Sequence, residues 1–141
     1  MTTMRDPNER NRAIIDEFHS NGGKVPSHFG GAKILLLTHT GAKSGQKRTN
    51  PLMYLQDGNR FLIFATKGGS PTNPDWYHNL VAHADVTVEV GTESFQARAV
   101  VVTGPERDRL YARQVQAYPQ FGDYEKRTTR KIPVVALERK A

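Results

Sequence analysis

The chain has 141 residues and no cysteine, with twenty Lys and Arg against fourteen Asp and Glu, a formal charge of +6. The length suits one domain with one core, and the lack of cysteine excludes disulfides, thiolate metal sites and cysteine nucleophiles together. No apolar run approaches the roughly 18–20 residues that span a bilayer, the polar stretch Met1–Arg12 lacks the apolar core of a signal peptide, and the cations cluster at 42–50 and Lys126–Lys131 with few aromatics beside them, which argues against a broad nucleic-acid surface.

Asp6-Pro7-Asn8-Glu9 opens a first helix, with Asp6 as cap, Pro7 at the first helical position and Glu9 at capping-box spacing. The helix runs through Ala13, Ile14 and Phe18 and stops at Asn21-Gly22-Gly23. Its apolar side (Ile14, Ile15, Phe18) covers a core or touches a membrane surface. Covering the core is favoured, because the polar side is not markedly basic. Val25–Gly31 reads as loop. Lys33–Thr40 is a first strand, nearly all apolar and buried on both faces, and Thr49–Gln56 is a second. Asp57-Gly58-Asn59 is a tight-turn signal before a third strand, Arg60–Thr66, so the second and third strands form a hairpin.

After the loop Lys67–Thr72, Asn73-Pro74-Asp75-Trp76 starts a short helix that carries Tyr77, Leu80 and Val81 and ends near Ala84. Val86–Val90 alternates as a strand with one wet face, Gly91-Thr92 turns the chain, and Ser94–Val102 returns. Thr103-Gly104-Pro105-Glu106 is a second capping box, opening a helix through Leu110, Val115 and Tyr118 that Pro119 closes. Ile132–Leu137 is the last strand. The expected fold is α+β and mainly β: about six strands, mostly antiparallel and curled into a small barrel, with about three helices. A doubly wound fold needs regular strand–helix alternation, which 33–66 lacks. Residues 1–32, the first helix and loop, and residues 33–141, the barrel, are expected to form a single domain.

The chemistry-bearing residues concentrate in Gly41-Ala42-Lys43-Ser44-Gly45-Gln46-Lys47-Arg48-Thr49-Asn50, a loop between two strands. Glycines let backbone N–H groups converge on an anion. Lys43, Lys47 and Arg48 add charge, and Arg48 can grip a phosphate or carboxylate with two prongs. Composition alone weighs this anion site equally against a solvated basic hairpin loop. A P-loop is rejected, because the spacer before Gly-Lys is missing and a strand follows. Ala65-Thr66-Lys67-Gly68-Gly69 lets a flat ligand approach, or is an ordinary strand-to-helix connection. Trp76 walls a ring pocket or, more commonly, packs in a core. Tyr118, Phe121 and Tyr124 form an aromatic lid or a helix end folded on the core. The five histidines (His19, His28, His39, His78, His83) have no metal-ligand spacing, and no metal is expected. No carboxylate pair and no nucleophile elbow is present. An enzyme built from this chain therefore takes its reactivity from a cofactor.

In series, these segments resemble the deazaflavin-dependent nitroreductase family. The matching runs are Leu37-Thr38-His39-Thr40-Gly41-Ala42-Lys43-Ser44-Gly45-Gln46-Lys47-Arg48-Thr49-Asn50-Pro51-Leu52, Ala65-Thr66-Lys67-Gly68-Gly69, Asn73-Pro74-Asp75-Trp76-Tyr77-His78-Asn79-Leu80, and Tyr118-Pro119 with Ile132-Pro133. The resemblance implies a split β-barrel that binds coenzyme F420, a deazaflavin with a ribityl phosphate and an acidic oligoglutamate tail. It implies hydride transfer to a quinone, activated enone or nitroaromatic. A carrier without turnover and an FMN-binding split barrel are the alternatives. The implied cofactor contacts are Thr38, Lys43, Ser44, Gly45, Gln46, Lys47, Arg48, Asn50, Ala65, Thr66, Lys67, Gly68, Trp76 and Asn79. Thr66, Tyr118 and Tyr124 are the implied hydrogen-bond donors on the substrate side, with Phe121 beside them. The family often has a second basic residue at the Ala42 position and a tyrosine at the Phe121 position. A monomer or homodimer in the cytoplasm is expected, with weak association at the inner membrane face as a variant.

Overall fold

The computed structural model describes residues 7–140 and is built on one seven-stranded sheet. Strands β1 (Ile34–Thr40), β2 (Lys47–Met53), β3 (Leu55–Asp57), β4 (Arg60–Phe64), β5 (Asp85–Val90), β6 (Glu93–Val102) and β7 (Val134–Arg139) lie in the order β2-β1-β5-β6-β7-β4-β3. All neighbours pair antiparallel. The edge strands β2 and β3 are separated in sequence by Tyr54 alone. Two residues' reach is only about 7 Å, so the sheet must curl until its edges meet. The split barrel expected from the sequence is the result, and it leaves no long unpaired edge there.

The strand expected over Thr49–Gln56 is therefore two strands. β2 pairs with β1 from Ile34↔Met53 to Thr40↔Lys47, and only β3 forms the hairpin with β4, across Gly58. This raises the strand count to seven among the described residues. Four helices are described rather than three: α1 (Pro7–Ser20), α2 (Asp75–Ala82), α3 (Gly104–Ala117) and α4 (Gln120–Lys126). Pro119 does follow α3, but it occupies the N-cap position of α4, a place where its missing N–H costs nothing. The second capping box does not form, because the Thr103 side chain makes no cap bond. Asn73 does not cap α2 either. Pro74 holds that position, and Asn73 Oδ1 accepts from Arg130 Nη1 at 2.6 Å. The Asp6 cap lies outside the described residues.

Period-two alternation assigns the core. In β4, Phe61 and Ile63 face the barrel interior with Leu35, Leu37, Val86, Val88, Trp76 and Leu137. Leu62 and Phe64 face outward onto α3 and α4, against Leu110, Tyr111 and Phe121. In β1, Leu35 and Leu37 point inward, while Ile34 and Leu36 pack on Ile14 and Phe18 of α1. The first strand is thus buried on both faces as expected. Ile14 and Phe18 are each 1% exposed, so α1 covers the barrel. Full burial of such a side chain is worth about 1.5–3 kcal/mol. Buried Arg107 on α3 donates from Nε and Nη2 to the carbonyl of Ile132, at 3.0 and 2.7 Å, and fastens the return into β7.

Candidate functional site

The connection between β1 and β2 is shorter and tighter than its sequence suggests. Gly41 N donates to Gln46 O at 2.8 Å and Gly45 N to Gly41 O at 3.0 Å. Gln46 N donates to Ser44 Oγ at 3.2 Å, and Ala42 N to Asn79 Oδ1 at 2.9 Å. A Cβ on Gly41 would collide with Ser44 Oγ, and Gly45 turns the chain at φ 70°. The expected cradle of converging N–H groups is therefore mostly closed on itself. Among the described residues only Lys43 and Ser44 keep unused N–H groups in this loop. Anion binding here must come mainly from side chains. Lys47, Arg48, Thr49 and Asn50 stand on β2 itself rather than in the loop.

Beneath the loop runs a buried polar chain. His39 Nε2 donates to Asn50 Oδ1 at 2.6 Å, and Asn79 Nδ2 donates to His39 Nδ1 at 3.1 Å. The Asn79 amide is oriented by Ala42, whose N–H needs Oδ1; that leaves Nδ2 for His39 and makes Nδ1 an acceptor. The imidazole is therefore neutral, protonated on Nε2. Burial pushes the His39 pKa below the ordinary 6.5, and the Arg48 charge pushes the same way, against the opposing effect of the Asn50 bond. Asn79, 8% exposed, has both ends of its amide engaged within the protein and acts as a brace. His39 has no metal-ligand spacing in the sequence; in the β1–β2 ladder it stands directly opposite Arg48.

These elements border a cleft of about 1250 Å³. Lys43, Ser44, Gln46, Lys47, Arg48 and Asn50 line it, as do Lys67, Trp76 and Asn79, and so does α1 through Asn11, Arg12 and Ile15. The lining holds five Lys or Arg side chains, Arg12, Lys43, Lys47, Arg48 and Lys67, against one carboxylate, Asp75. Among the described residues none of the five forms an ion pair. Lys47 Nζ donates to Thr40 Oγ1 at 2.9 Å and Lys67 Nζ to Thr72 Oγ1 at 3.2 Å, so both remain uncompensated charges. Trp76 belongs to the barrel core at 6% exposure and also borders the cleft. Thr38 is not in the lining; its hydroxyl shares a bond of 2.8 Å with Thr49.

The second glycine segment is held by a residue absent from the expected site. Arg130 donates to Ala65 O at 3.1 Å, Thr66 O at 2.7 Å, Ser70 O at 2.9 Å and Asn73 Oδ1 at 2.6 Å. One rigid fork thereby fixes the end of β4 to the start of α2. A Cβ at Gly69 would meet Tyr124 O and Arg127 Cβ, each at 2.8 Å, so this glycine serves close packing on α4. Gly68 faces open space. Of the four candidates here, Lys67 lines the cleft, whereas Ala65, Thr66 and Gly68 do not.

The aromatic trio lies on the outer face of β4. Phe121 is 5% exposed, with ring centroids 5.8 Å from Phe64 and 5.2 Å from Tyr124. Tyr118 and Tyr124 flank it, and none of the three lines the cleft. Among the described residues the hydroxyls of Thr66, Tyr118 and Tyr124 have no protein partner, whereas Tyr111 Oη donates to Phe121 O at 2.7 Å. Burial raises the Tyr54 phenol above its ordinary pKa, with Tyr118 adding to the effect.

Comparison with known proteins adds an independent line. The family model of the F420H(2)-dependent quinone reductases matches residues 10–139. An F420H2-dependent quinone reductase of Mycobacterium tuberculosis is 41% identical over 129 residues, covering 87% of this chain and 85% of its own. A solved F420-H2 dependent reductase (FDR-A) superimposes with a TM-score of 0.69 at 40% identity, over 74% of this chain and 93% of its own. A structure described as a domain-swapped dimer gives a TM-score of 0.72 at 34% identity, over 94% of this chain and all of its own (100%).

Proposed function

The chain belongs to the F420H2-dependent quinone reductase family, and on that premise we propose that it reduces a quinone or similar electron-poor small molecule, with coenzyme F420 as hydride donor. One observation carries the reading: a cleft of about 1250 Å³ sets five cations against one carboxylate. Sites for small ligands commonly run to about 300–1,000 Å³, so this cleft suits a long ligand. Its charge suits a ligand with a phosphate and several carboxylates. FMN, with a phosphate and no acidic tail, would leave most of these cations unmatched. The residues present therefore fit the deazaflavin cofactor.

When bound, that cofactor supplies a hydride, passing two electrons in one step. The chain supplies the rest. Lys43, Lys47, Arg48 and Lys67 hold anionic groups, and the Asn50 amide adds its N–H groups beside Arg48. Asn79 and His39 keep the 41–46 turn against α2, so the side chains that would hold the cofactor's anionic groups are fixed in one arrangement before it binds. Trp76 offers the apolar wall for that ring end. A proton must reach the substrate oxygen as it gains charge. Thr66 adjoins Lys67 of the cleft wall, whereas Tyr118 and Tyr124 lie on the outer face of β4, which supports Thr66 over them as donor.

Residues 1–32 and 33–141 are read as one domain, because α1 and β1 share a core cluster. The relative described as a domain-swapped dimer supports a homodimer as the assembly to look for, by light scattering. No described helix is long and apolar enough to cross a membrane, and the Ile14 and Phe18 side of α1 is already occupied by the barrel. Titration with F420, FMN and NADPH, followed by assay of quinone reduction with reduced F420, tests the function. Binding of F420 with quinone-dependent oxidation of its reduced form is the expected result. Binding of FMN alone would overturn the cofactor, and F420 binding without turnover would make the protein a carrier.

A further inference from the structure

We propose that α1 extends the cofactor cleft, with Arg12 and Lys47 forming a separate subsite for the outer carboxylates of an oligoglutamate tail. This rests on the F420 reading above. The pleat of β2 divides its cations between two faces. Arg48 pairs in register with His39 and Lys47 with Thr40, and neighbours on a strand point to opposite sides. Arg48 shares the side of His39, Leu35 and Leu37, toward α2. Lys47 lies on the side of Leu36, which packs on Ile14 and Phe18 of α1. Asn11, Arg12 and Ile15 line the cleft on that side. The cleft thus passes over the tip of β2 and continues along the first helix.

A cation on the polar side of an amphipathic helix is ordinarily a solvated group. Arg12 differs in position. It borders the same cleft as Lys47, and among the described residues neither has a carboxylate partner. Asp75, the one carboxylate of the lining, is on α2, which packs against β1, whereas α1 packs against β2. Two uncompensated cations bordering one cleft, Arg12 from α1 and Lys47 from β2, suit a single polyanion that reaches both. A single phosphate near Arg48 cannot face both sides of β2. A chain of carboxylates can pass from one side to the other, so the subsite reads tail length rather than the ring.

The test compares dissociation constants for F420 with a long tail and for F420 trimmed to one glutamate, using wild type, Arg12→Ala, Arg12→Lys and Arg12→Glu. Binding is read by fluorescence or calorimetry, without turnover. Wild type should prefer the long tail. Arg12→Ala should lose about two- to fivefold for the long tail and nothing for the trimmed form, as suits a partly exposed ion pair. Arg12→Lys should retain most of the affinity and Arg12→Glu should lose more. Equal losses for both forms, or no loss for either, overturn the subsite while leaving the cofactor in place. If wild type binds neither form, the cofactor reading falls and the subsite with it.

Discussion

Asn79 Oδ1 accepts the backbone N–H of Ala42 at 2.9 Å, joining residues 37 positions apart. The bond ties the basic turn to α2. Removing the amide by Asn79→Ala leaves one buried group, His39 Nδ1, and one half-buried bond, that of the Ala42 N–H, without their partner. The expected cost is about 1–3 kcal/mol of folding stability, the usual penalty for a buried group left unpaired. Weaker F420 binding should accompany it, because the turn is no longer held. Asn79→Asp separates the two effects. Its carboxylate still accepts from Ala42, but its other oxygen faces a ring acceptor and favours a protonated His39. The Asp variant should therefore recover stability as pH falls, in the opposite sense to wild type. Denaturant titrations at several pH values read this out.

The pH dependence of wild type follows from the same ring. Burial and Arg48 lower the folded-state pKa of His39 below the ordinary 6.5. The unfolded chain therefore binds a proton at His39 that the folded chain resists. The sign is fixed by linkage: stability from this group is fully present above the unfolded pKa and is lost as pH falls from about 6.5 toward the folded value. Below the folded value the difference is constant. Protonation would also place an N–H of Nδ1 against the Asn79 amide hydrogens, so turn and ring lose their fit together. Unfolding free energy measured between pH 5 and 7.5 should show this slope, and His39→Gln should abolish it. A slope unchanged in His39→Gln would assign it to other groups.

Arg130 is the residue on which the 65–73 segment most depends. Its guanidinium serves four acceptors on Ala65, Thr66, Ser70 and Asn73. Lysine has three donors on a single nitrogen and cannot reach this spread of acceptors. Arg130→Ala should cost about 2–4 kcal/mol, less than a sum over the bonds because part of the segment can rehydrate. Arg130→Lys should recover only a fraction. Hydrogen exchange should speed up at Gly69 and Ser70, whose N–H groups bond to Thr66 O and Lys67 O. Exchange at β1 should not change, since that strand is held from elsewhere.

What the sequence made legible is local, and what it concealed depends on distant partners. The run Ile34–Leu37 announces a doubly buried strand, and Gly91-Thr92 announces a hairpin, because each signal lies within a few residues. Met53-Tyr54-Leu55 reads as one apolar run, yet the chain changes partners there from β1 to β4. Barrel closure alone demands that change. Pro119 is a sound stop signal for α3 and equally sound at the start of α4; its neighbours Gln120–Lys126 carry weak helical periodicity. At the site, the 41–50 run and Trp76 are legible by type and, Gly45 apart, border one cleft, whereas Asn79 is a candidate only through the family resemblance. Arg12, His39 and Arg130 are not legible. Each looks solvated or unremarkable until folding sets Arg12 on the cleft and brings His39 and Arg130 to their hydrogen-bond partners.

Phe121 tests where the aromatic trio acts. Its ring is enclosed by Phe64, Tyr111, Tyr118 and Tyr124. A hydroxyl added by Phe121→Tyr enters a packed region with few free acceptors. The expected result is about 1–3 kcal/mol lower stability and no gain in nitroaromatic reduction. A gain in that activity at unchanged melting temperature would instead put this ring on the substrate side.

Lys43 and Arg48 decide whether the basic turn binds an anion or is merely solvated. Both border the cleft, and neither has a charged partner among the described residues. Folding therefore gains little from them, and their loss should barely change the melting temperature. Binding is another matter. If each makes a charge-assisted bond to the cofactor, Lys43→Ala and Arg48→Ala should each weaken it by about 1–3 kcal/mol. The loss should shrink as salt rises, because exposed ionic contacts are screened within about 10 Å at 0.1 M. Arg48→Ala carries a further signature. Without that charge the His39 pKa should move back toward 6.5, flattening the pH slope of stability. Lys43→Ala should leave the slope unaltered. Unchanged affinity in both variants would return the turn to an ordinary basic surface loop, while the slope would still report on Arg48 and His39.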